Sequence, residues 1–330
     1  MSIAPVLAVE NLHTHIPTPE GIIRAVNGVS FQIGPGRVLG LVGESGCGKS
    51  ITCLSILGLL NAGRVVNGRI RLKGKDILNL SPEEMRKIRG KEIGMIMQNP
   101  MSSFNPVITI GQQFIETIRT HRRVSAREAR ELAIEYLHQV GLPYPKDLLG
   151  QFPFQLSGGM LQRVMIAISI ALNPAVLIAD EPTTALDVTV QNRILGQLAR
   201  LKEKYNAAII LVSHDLSVVA QLADEVAVMY SGYLVEKAPV MEIFDNPLHP
   251  YTRALMASRP SLKKKRLRPI RGQPPTLLNL DDICPFFERC GEVSRACLDY
   301  TVELVELSRN HFVGCVKYGS NQEVVLYDYA

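Results

Sequence analysis

Residues 38–50 constrain this chain more than any other stretch. Val-Leu-Gly-Leu-Val is followed at once by Gly43-Glu44-Ser45-Gly46-Cys47-Gly48-Lys49-Ser50. The apolar run suits a strand buried in a parallel sheet, and a helix-like segment from Lys49 to Leu60 follows the glycines. Strand, glycine loop and helix open an α/β unit. The octapeptide fits G-x-x-x-x-G-K-[ST]. Its glycines let successive backbone N–H groups turn inward around phosphate oxygens, and the helix N-terminus adds a field favourable to an anion. Lys49 would reach the terminal phosphates, and the Ser50 hydroxyl would ligate Mg²⁺. The expected contacts to a nucleotide are Gly43, Ser45, Gly46, Cys47, Gly48, Lys49, Ser50 and Ile51.

A second apolar run, Val176-Leu177-Ile178-Ala179, delivers Asp180 and Glu181 to the carboxyl edge of a sheet, where open α/β sheets bind ligands. Asp180 is suited to the Mg²⁺ shell and Glu181 to polarising an attacking water as general base. Before the glycine loop, Val26, Val29, Phe31 and Ile33 lead to Gly34-Pro35-Gly36 and predict a β arm ending in a turn. Further strands are predicted at 208–212 and 226–229. Ser81-Pro82-Glu83-Glu84 and Ser125 with Glu128 are helix-start signals. Residues 99–162 therefore read as a helical insertion. At 330 residues and 46% hydrophobic, the chain can bury a sizeable core. Its net charge of +5 demands neither nucleic acid nor lipid, and 6 cysteines are too few for a disulfide scaffold. No stretch approaches the roughly 20 apolar residues of a membrane span, and the N-terminus lacks the pattern of a signal peptide. A soluble, cytosolic chain is expected.

Leu156-Ser157-Gly158-Gly159-Met160, followed by Leu161-Gln162-Arg163, resembles the signature sequence of ATP-binding cassette (ABC) ATPases. The other motifs of that family follow in order. Gln98 resembles the Q-loop glutamine that senses Mg²⁺ and water. Ala185-Leu186-Asp187 resembles the D-loop, and His214 resembles the switch histidine that contacts the γ-phosphate. The resemblance implies an α/β fold: a P-loop NTPase (RecA-like) core with an antiparallel β arm, an inserted α-helical subdomain and a small cysteine-containing C-terminal extension. The expected boundaries are 1–98 and 163–245 for the core, 99–162 for the helical signature subdomain and 246–330 for the extension. It also implies ATP with Mg²⁺ held by Ser50, Gln98 and Asp180. Ser157, Gly158 and Gly159 would close over the γ-phosphate of a second subunit. Glu181, His214 and Gln98 would be the catalytic set. One position departs from the family pattern: the aromatic residue that stacks on adenine corresponds to Ile16, flanked by His15 and Pro17. An apolar contact would replace stacking there, GTP would also be accepted, and His13 or His15 would be alternative contacts to the base.

Gln98-Asn99-Pro100 with Ser103-Phe104-Asn105-Pro106, and Asn246-Pro247-Leu248-His249-Pro250-Tyr251, are similar to the ATPase subunits of dipeptide, oligopeptide and nickel importers. That resemblance covers the whole chain. It implies a peripheral protein at the cytoplasmic face of the cell membrane. A second ATPase subunit, usually a paralogue, would pair with it beneath two membrane-spanning permease subunits, and an extracytoplasmic solute-binding protein would deliver the cargo. Peptides lead as cargo, with nickel or a metal–chelator complex as the alternative. An ABC ATPase acting on nucleic acid is the competing class, but no sustained heptads separate Lys49 from Leu156, so no nucleic-acid partner is expected. Residues Met101–Phe104 either dock the membrane subunits or pack the helical lobe. Cys284, Cys290, Cys297 and Cys315 cluster in the tail, and in a reducing cytosol they suit metal ligands better than disulfides. Iron–sulfur, zinc and free thiols are the options. The resemblance implies a 4Fe-4S cluster. His311 reads as a surface residue, with a fallback ligand as the alternative. Cys47 and Cys53 read as small buried thiols. The basic run Lys263–Arg266, with Arg268 and Arg271, reads as a linker or a contact to anionic lipid.

Overall fold

In a computed structural model, which describes residues 4–184, 187–258 and 269–319, the chain begins with two long strands, β1 (Leu7–Thr18) and β2 (Gly21–Ile33). Next comes β3 (Val38–Val42), buried at every residue, and then α1 (Lys49–Leu57). The helix stops three residues short of the predicted Leu60. Gly58 takes the left-handed conformation (φ 60°), and the N–H groups of Gly58 and Leu59 turn back to the carbonyls of Ser55 and Leu54. Strands β4 (Arg64–Leu72) and β5 (Lys75–Asp76) precede α2 (Pro82–Ile88) and β6 (Ile93–Ile96). Ser81 and Glu84 close the predicted capping box on α2.

The next segment is helical: α3 (Pro100–Ser103), α4 (Ile110–His121), α5 (Ala126–Gln139), α6 (Pro145–Leu148) and α7 (Gly158–Ile170). Ser125 and Glu128 cap α5 as predicted. Strand β7 (Val176–Asp180), α8 (Val188–Tyr205), β8 (Ala208–Val212), α9 (Leu216–Leu222) and β9 (Glu225–Tyr230) resume the α/β alternation. The last elements are β10 (Tyr233–Pro239), α10 (Val240–Asp245), α11 (Pro250–Ala257) and a hairpin of β11 (Val305–Ser308) and β12 (His311–Val313). Among the described residues no helix is long and apolar enough to cross a membrane.

The chain divides into two compact units. The first comprises residues 1–8, 32–38 and 71–213. Here β6, β7 and β8 lie side by side in parallel, Ile93 opposite Val176 and Val176 opposite Ala208. Every residue of β7 and β8 is buried, as expected of strands covered on both faces. The helices from α2 to α8 belong to this unit, and α7 is buried over most of its circumference.

The second unit comprises residues 9–31, 39–70 and 214–330. Its main strands follow the order β3-β9-β10-β12-β11, with β3 and β9 parallel and the rest antiparallel. The β arm contributes β2, β1 and β4 in that order. The tail belongs to this unit. Strand β12 pairs with β10, Val313 opposite Glu236, and the Leu277–Asn279 segment hydrogen-bonds to Ile22 and Arg24 of β2. The run Lys263–Arg268 lies outside the described residues.

Candidate active site

The phosphate loop belongs to the second unit. Its glycines are obligatory where the backbone leaves the region open to other residues. Gly43 has φ 153°, and a Cβ there would lie 2.1 Å from the Met229 carbonyl oxygen. Gly48 has φ 105°, and its Cβ would lie 2.3 Å from the Ala25 carbonyl oxygen. Gly48 begins α1 without any side-chain cap, whereas Asp, Asn, Ser or Thr side chains cap most other helices. The first-turn amides of α1 are thus left to an anion rather than to a protein oxygen. Ser45 and Gly46 are exposed at the crest of the loop, Ser50 and Ile51 are half-buried, and Cys47 is buried. The Lys49 ammonium donates to the carbonyls of Gly43 (2.9 Å) and Glu44 (2.8 Å) and lies 3.6 Å from the Cys47 sulfur. Burial pushes the Cys47 thiol up despite that neighbouring ammonium. Cys53 is fully buried, as read from the sequence.

Ile16 shares a face of β1 with Leu12 and Thr14, both fully buried. That face looks toward α1, where the Thr14 and Ser55 hydroxyls meet at 2.8 Å. His13 and His15 project from the opposite face and line a polar pocket with Arg24 and Tyr233. Burial lowers both imidazole pKa values, and Arg24 adds to it. They are therefore not interchangeable with Ile16. His214, also in this unit, is exposed just before Asp215, whose carboxylate caps α9 through the Ser217 N–H at 2.8 Å.

The acidic pair belongs to the first unit. Asp180 ends β7 and is buried. Glu181 adopts φ 47°, a left-handed conformation that costs a glutamate energy, and its N–H donates to the Val212 carbonyl at 3.0 Å. One carboxylate oxygen, Oε2, accepts from Gln98 Nε2 at 2.9 Å and from Thr184 Oγ1 at 2.8 Å. Gln98, predicted from its position after β6, thus touches the predicted base directly. Thr184 was not foreseen, since a threonine two residues beyond a proline carries no distinctive signal.

Ser157 caps α7 by accepting from the Met160 N–H at 3.3 Å, and Ser157 and Gly158 are exposed. A Cβ on Gly159 would lie 3.3 Å from Val190 Cγ1 of α8. Behind the signature, the buried Gln162 donates to the Pro182 carbonyl at 2.9 Å, so α7 holds the backbone one residue after Glu181. Ala185 and Leu186 lie outside the described residues, and Asp187 caps α8 through the Val190 N–H at 2.9 Å.

In the tail, Cys284, Cys290, Cys297 and Cys315 line one small pocket with Phe286, Tyr300 and Lys317. Burial pushes the Cys284 thiol up to about 12, with the three other cysteines adding to the shift, and it raises Cys290 and Cys315 as well. Backbone N–H groups of Glu292 and Ser294 point at the sulfurs of Cys290 (3.4 Å) and Cys297 (3.5 Å). Among the described residues no three His, Cys, Asp or Glu side chains are arranged to hold a metal ion. His311 is neither a ligand candidate nor a surface residue. It is 1% exposed, and its Nε2 lies 2.8 Å from the fully buried Glu236 carboxylate.

Comparisons with known proteins agree with this geometry. Residues 26–184 match the ABC transporter family, and residues 235–297 match the oligopeptide/dipeptide transporter C-terminal region. The chain is 45% identical over 314 residues to the dipeptide transport ATP-binding protein DppD of Bacillus subtilis, covering 94% of each chain. It is 44% identical over 295 residues to the oligopeptide transport ATP-binding protein OppD of Haemophilus influenzae, covering 89% of this chain and 91% of that one. Among solved structures, the ATP-binding cassette MJ0796 in a dimeric post-hydrolysis state with ADP and Pi superposes with a TM-score of 0.65 at 28% identity. That match covers 71% of this chain and 98% of the cassette. Sequence, fold and relatives therefore agree that the chain belongs to the ABC transporter family, among the ATP-binding proteins of the dipeptide and oligopeptide type.

Proposed function

We propose that this chain is the ATP-hydrolysing subunit of an importer that carries dipeptides or oligopeptides across the cell membrane, acting from the cytoplasmic face. The observation that carries the hydrolytic part is the Glu181 carboxylate, fixed by Gln98 and Thr184 at the end of β7. In this reading Glu181 takes a proton from water as its oxygen bonds to the γ-phosphorus, and the bond to the β–γ bridging oxygen breaks to leave ADP and phosphate. Gly43–Ile51 hold the phosphates, Ile16 lies against the base and His214 contacts the γ-phosphate. Ser50, Gln98 and Asp180 offer a hydroxyl, an amide oxygen and a carboxylate, the hard donors that suit Mg²⁺. The ion would neutralise charge on the phosphate oxygens. Relatives named for peptide transport favour peptides over nickel as cargo.

Closure over the nucleotide would bring Ser157, Gly158 and Gly159 against a second ATPase subunit, a copy or a paralogue. The permeases and a solute-binding protein would complete the machine. The decisive experiment is Glu181→Gln, which should keep MgATP affinity and lower hydrolysis by at least about 100-fold. With MgATP it should also elute as a dimer. Hydrolysis at the wild-type rate would remove Glu181 as the base.

The cysteine pocket also fits a cofactor, on its donor chemistry. Four soft thiols with backbone N–H groups aimed at two of the sulfurs match the surroundings of an iron–sulfur group. Such soft donors suit either iron–sulfur or zinc, and the sequence resemblance points to 4Fe-4S. When bound, it would hold its cysteine ligands as thiolates, against the burial that raises Cys284, Cys290 and Cys315. Protein purified without oxygen should be brown, and Cys290→Ser should bleach it. Colourless protein carrying one zinc per chain would overturn the assignment.

A further inference from the structure

The first variable residue of the phosphate loop, Glu44, is gripped by the C-terminal extension. Arg289, in the turn Phe287–Arg289, donates from Nη1 to Glu44 Oε2 at 2.6 Å and from Nη2 to Glu44 Oε1 at 3.0 Å. This is a two-pronged pair between planar groups, stronger and more directional than a single contact. The rest of the guanidinium is also engaged. Its Nη1 donates to the Tyr230 hydroxyl at 3.2 Å and its Nε donates to the Arg271 carbonyl at 2.8 Å, with the guanidinium carbon 5.7 Å from the Tyr230 ring centre. The Arg289 side chain is 5% exposed, so water screens this pair little.

The backbone of Glu44 is held as firmly as its side chain. Its N–H donates to the Tyr251 hydroxyl at 3.0 Å, and its carbonyl accepts from Lys49 Nζ at 2.8 Å. Arg289, Glu44 and Lys49 thus form a continuous chain of charge-assisted contacts ending on the ammonium that the proposed function assigns to the nucleotide phosphates. The anchor itself is rigid. Tyr230, Tyr251 and Phe286 are buried and mutually in ring contact, with centroids 4.5–5.4 Å apart. Phase for phase, the same short segment serves two sites: Phe286 also lines the cysteine pocket, and Cys290 directly follows Arg289.

We infer that Arg289 is a positioning residue for ATP binding, by which the C-terminal extension sets the conformation of Glu44 and Lys49 in the phosphate loop. This rests on the reading of the chain as an ATPase. A residue that only stabilised the tail would affect melting and leave nucleotide affinity alone. A positioning residue shifts the Kd and KM for nucleotide more than it shifts kcat at saturation.

The test uses the full-length chain, with MgADP and MgATP affinity measured directly and steady-state hydrolysis measured beside it. Arg289→Ala should raise Kd and KM by about tenfold, within the usual range for coupled sites, with a smaller change in kcat. Glu44→Gln should do the same, and the double variant should be no worse than the poorer single one, because both remove one contact. Arg289→Lys keeps the charge but not the fork, so it should be intermediate at an unchanged melting temperature. This variant decides the matter if Arg289→Ala does not fold. Wild-type Kd and KM in Arg289→Lys and Glu44→Gln, or fully additive losses in the double variant, would overturn the inference while leaving the ATPase reading intact. A wild-type chain with no affinity for either nucleotide would overturn both.

Discussion

His249 shows how far one buried side chain can couple this protein to pH. It is 1% exposed, and its Nδ1 accepts the Tyr251 N–H at 3.0 Å to cap α11, so it must be neutral to do that work. Burial holds its pKa at about 3, well below the 6.5 of an exposed histidine, and Arg253 pushes in the same direction against Glu292. Between those two values the unfolded chain binds a proton that the folded chain refuses. The contribution of this group is therefore complete above pH 6.5 and declines as pH falls, by about 1.4 kcal/mol per unit. His249→Asn retains an acceptor for the Tyr251 amide and removes the titration. Its melting temperature should fall less steeply between pH 7 and 5 than that of the wild type. Equal slopes in the two proteins would show that other groups set the acid limit. Because Tyr251 also holds the Glu44 N–H, the acid limit of stability and the integrity of the phosphate loop share a support.

At the scale of elements, the sequence pattern served well wherever a rule is local. The apolar runs at 38–42, 176–179 and 208–212 form covered strands as they suggest, and the Ser81/Glu84 and Ser125/Glu128 pairs close the capping boxes they suggest. A third box, Thr109 with Gln112, went unread because Val107-Ile108-Thr109-Ile110 looks like a β-branched strand. Here the reciprocal caps and the burial of Ile110, Phe114 and Ile118 override propensity. The strands of the tail went unread for a related reason. Strand β11 is mostly exposed, and β12 is three residues long, so neither shows the alternation that marks a strand. What holds them is pairing across the sheet, β12 with β10 more than seventy positions away and β11 with β12. The site divides in the same way. Gln98, Asp180 and Glu181 are legible as motif positions. The bonds from Thr184 to Glu181, from Gln162 to Pro182 and from Arg289 to Glu44 are decided by the folded chain and leave no periodic trace.

For the molecule as a whole, function requires that events at the nucleotide reach the membrane. The sequence left Met101–Phe104 open between docking and internal packing, and its side chains differ in burial. Phe104 turns inward and is buried, whereas Met101 is 49% exposed on α3, with Met97 and Val107 exposed on either side of it. The flexible thioether of methionine adapts readily to an apolar partner. This patch follows within a few residues of Gln98, which touches Glu181. A membrane subunit seated on Met101 would therefore act three positions along the chain from Gln98, the partner of Glu181. Met101→Asp should leave hydrolysis by the isolated chain unchanged, since nothing buried is altered, but should abolish recovery of the chain with its membrane subunits. Phe104→Ala should instead lower the melting temperature, through loss of a buried ring worth about 3–5 kcal/mol. Undiminished recovery of the Met101→Asp protein would move the docking surface elsewhere on the chain.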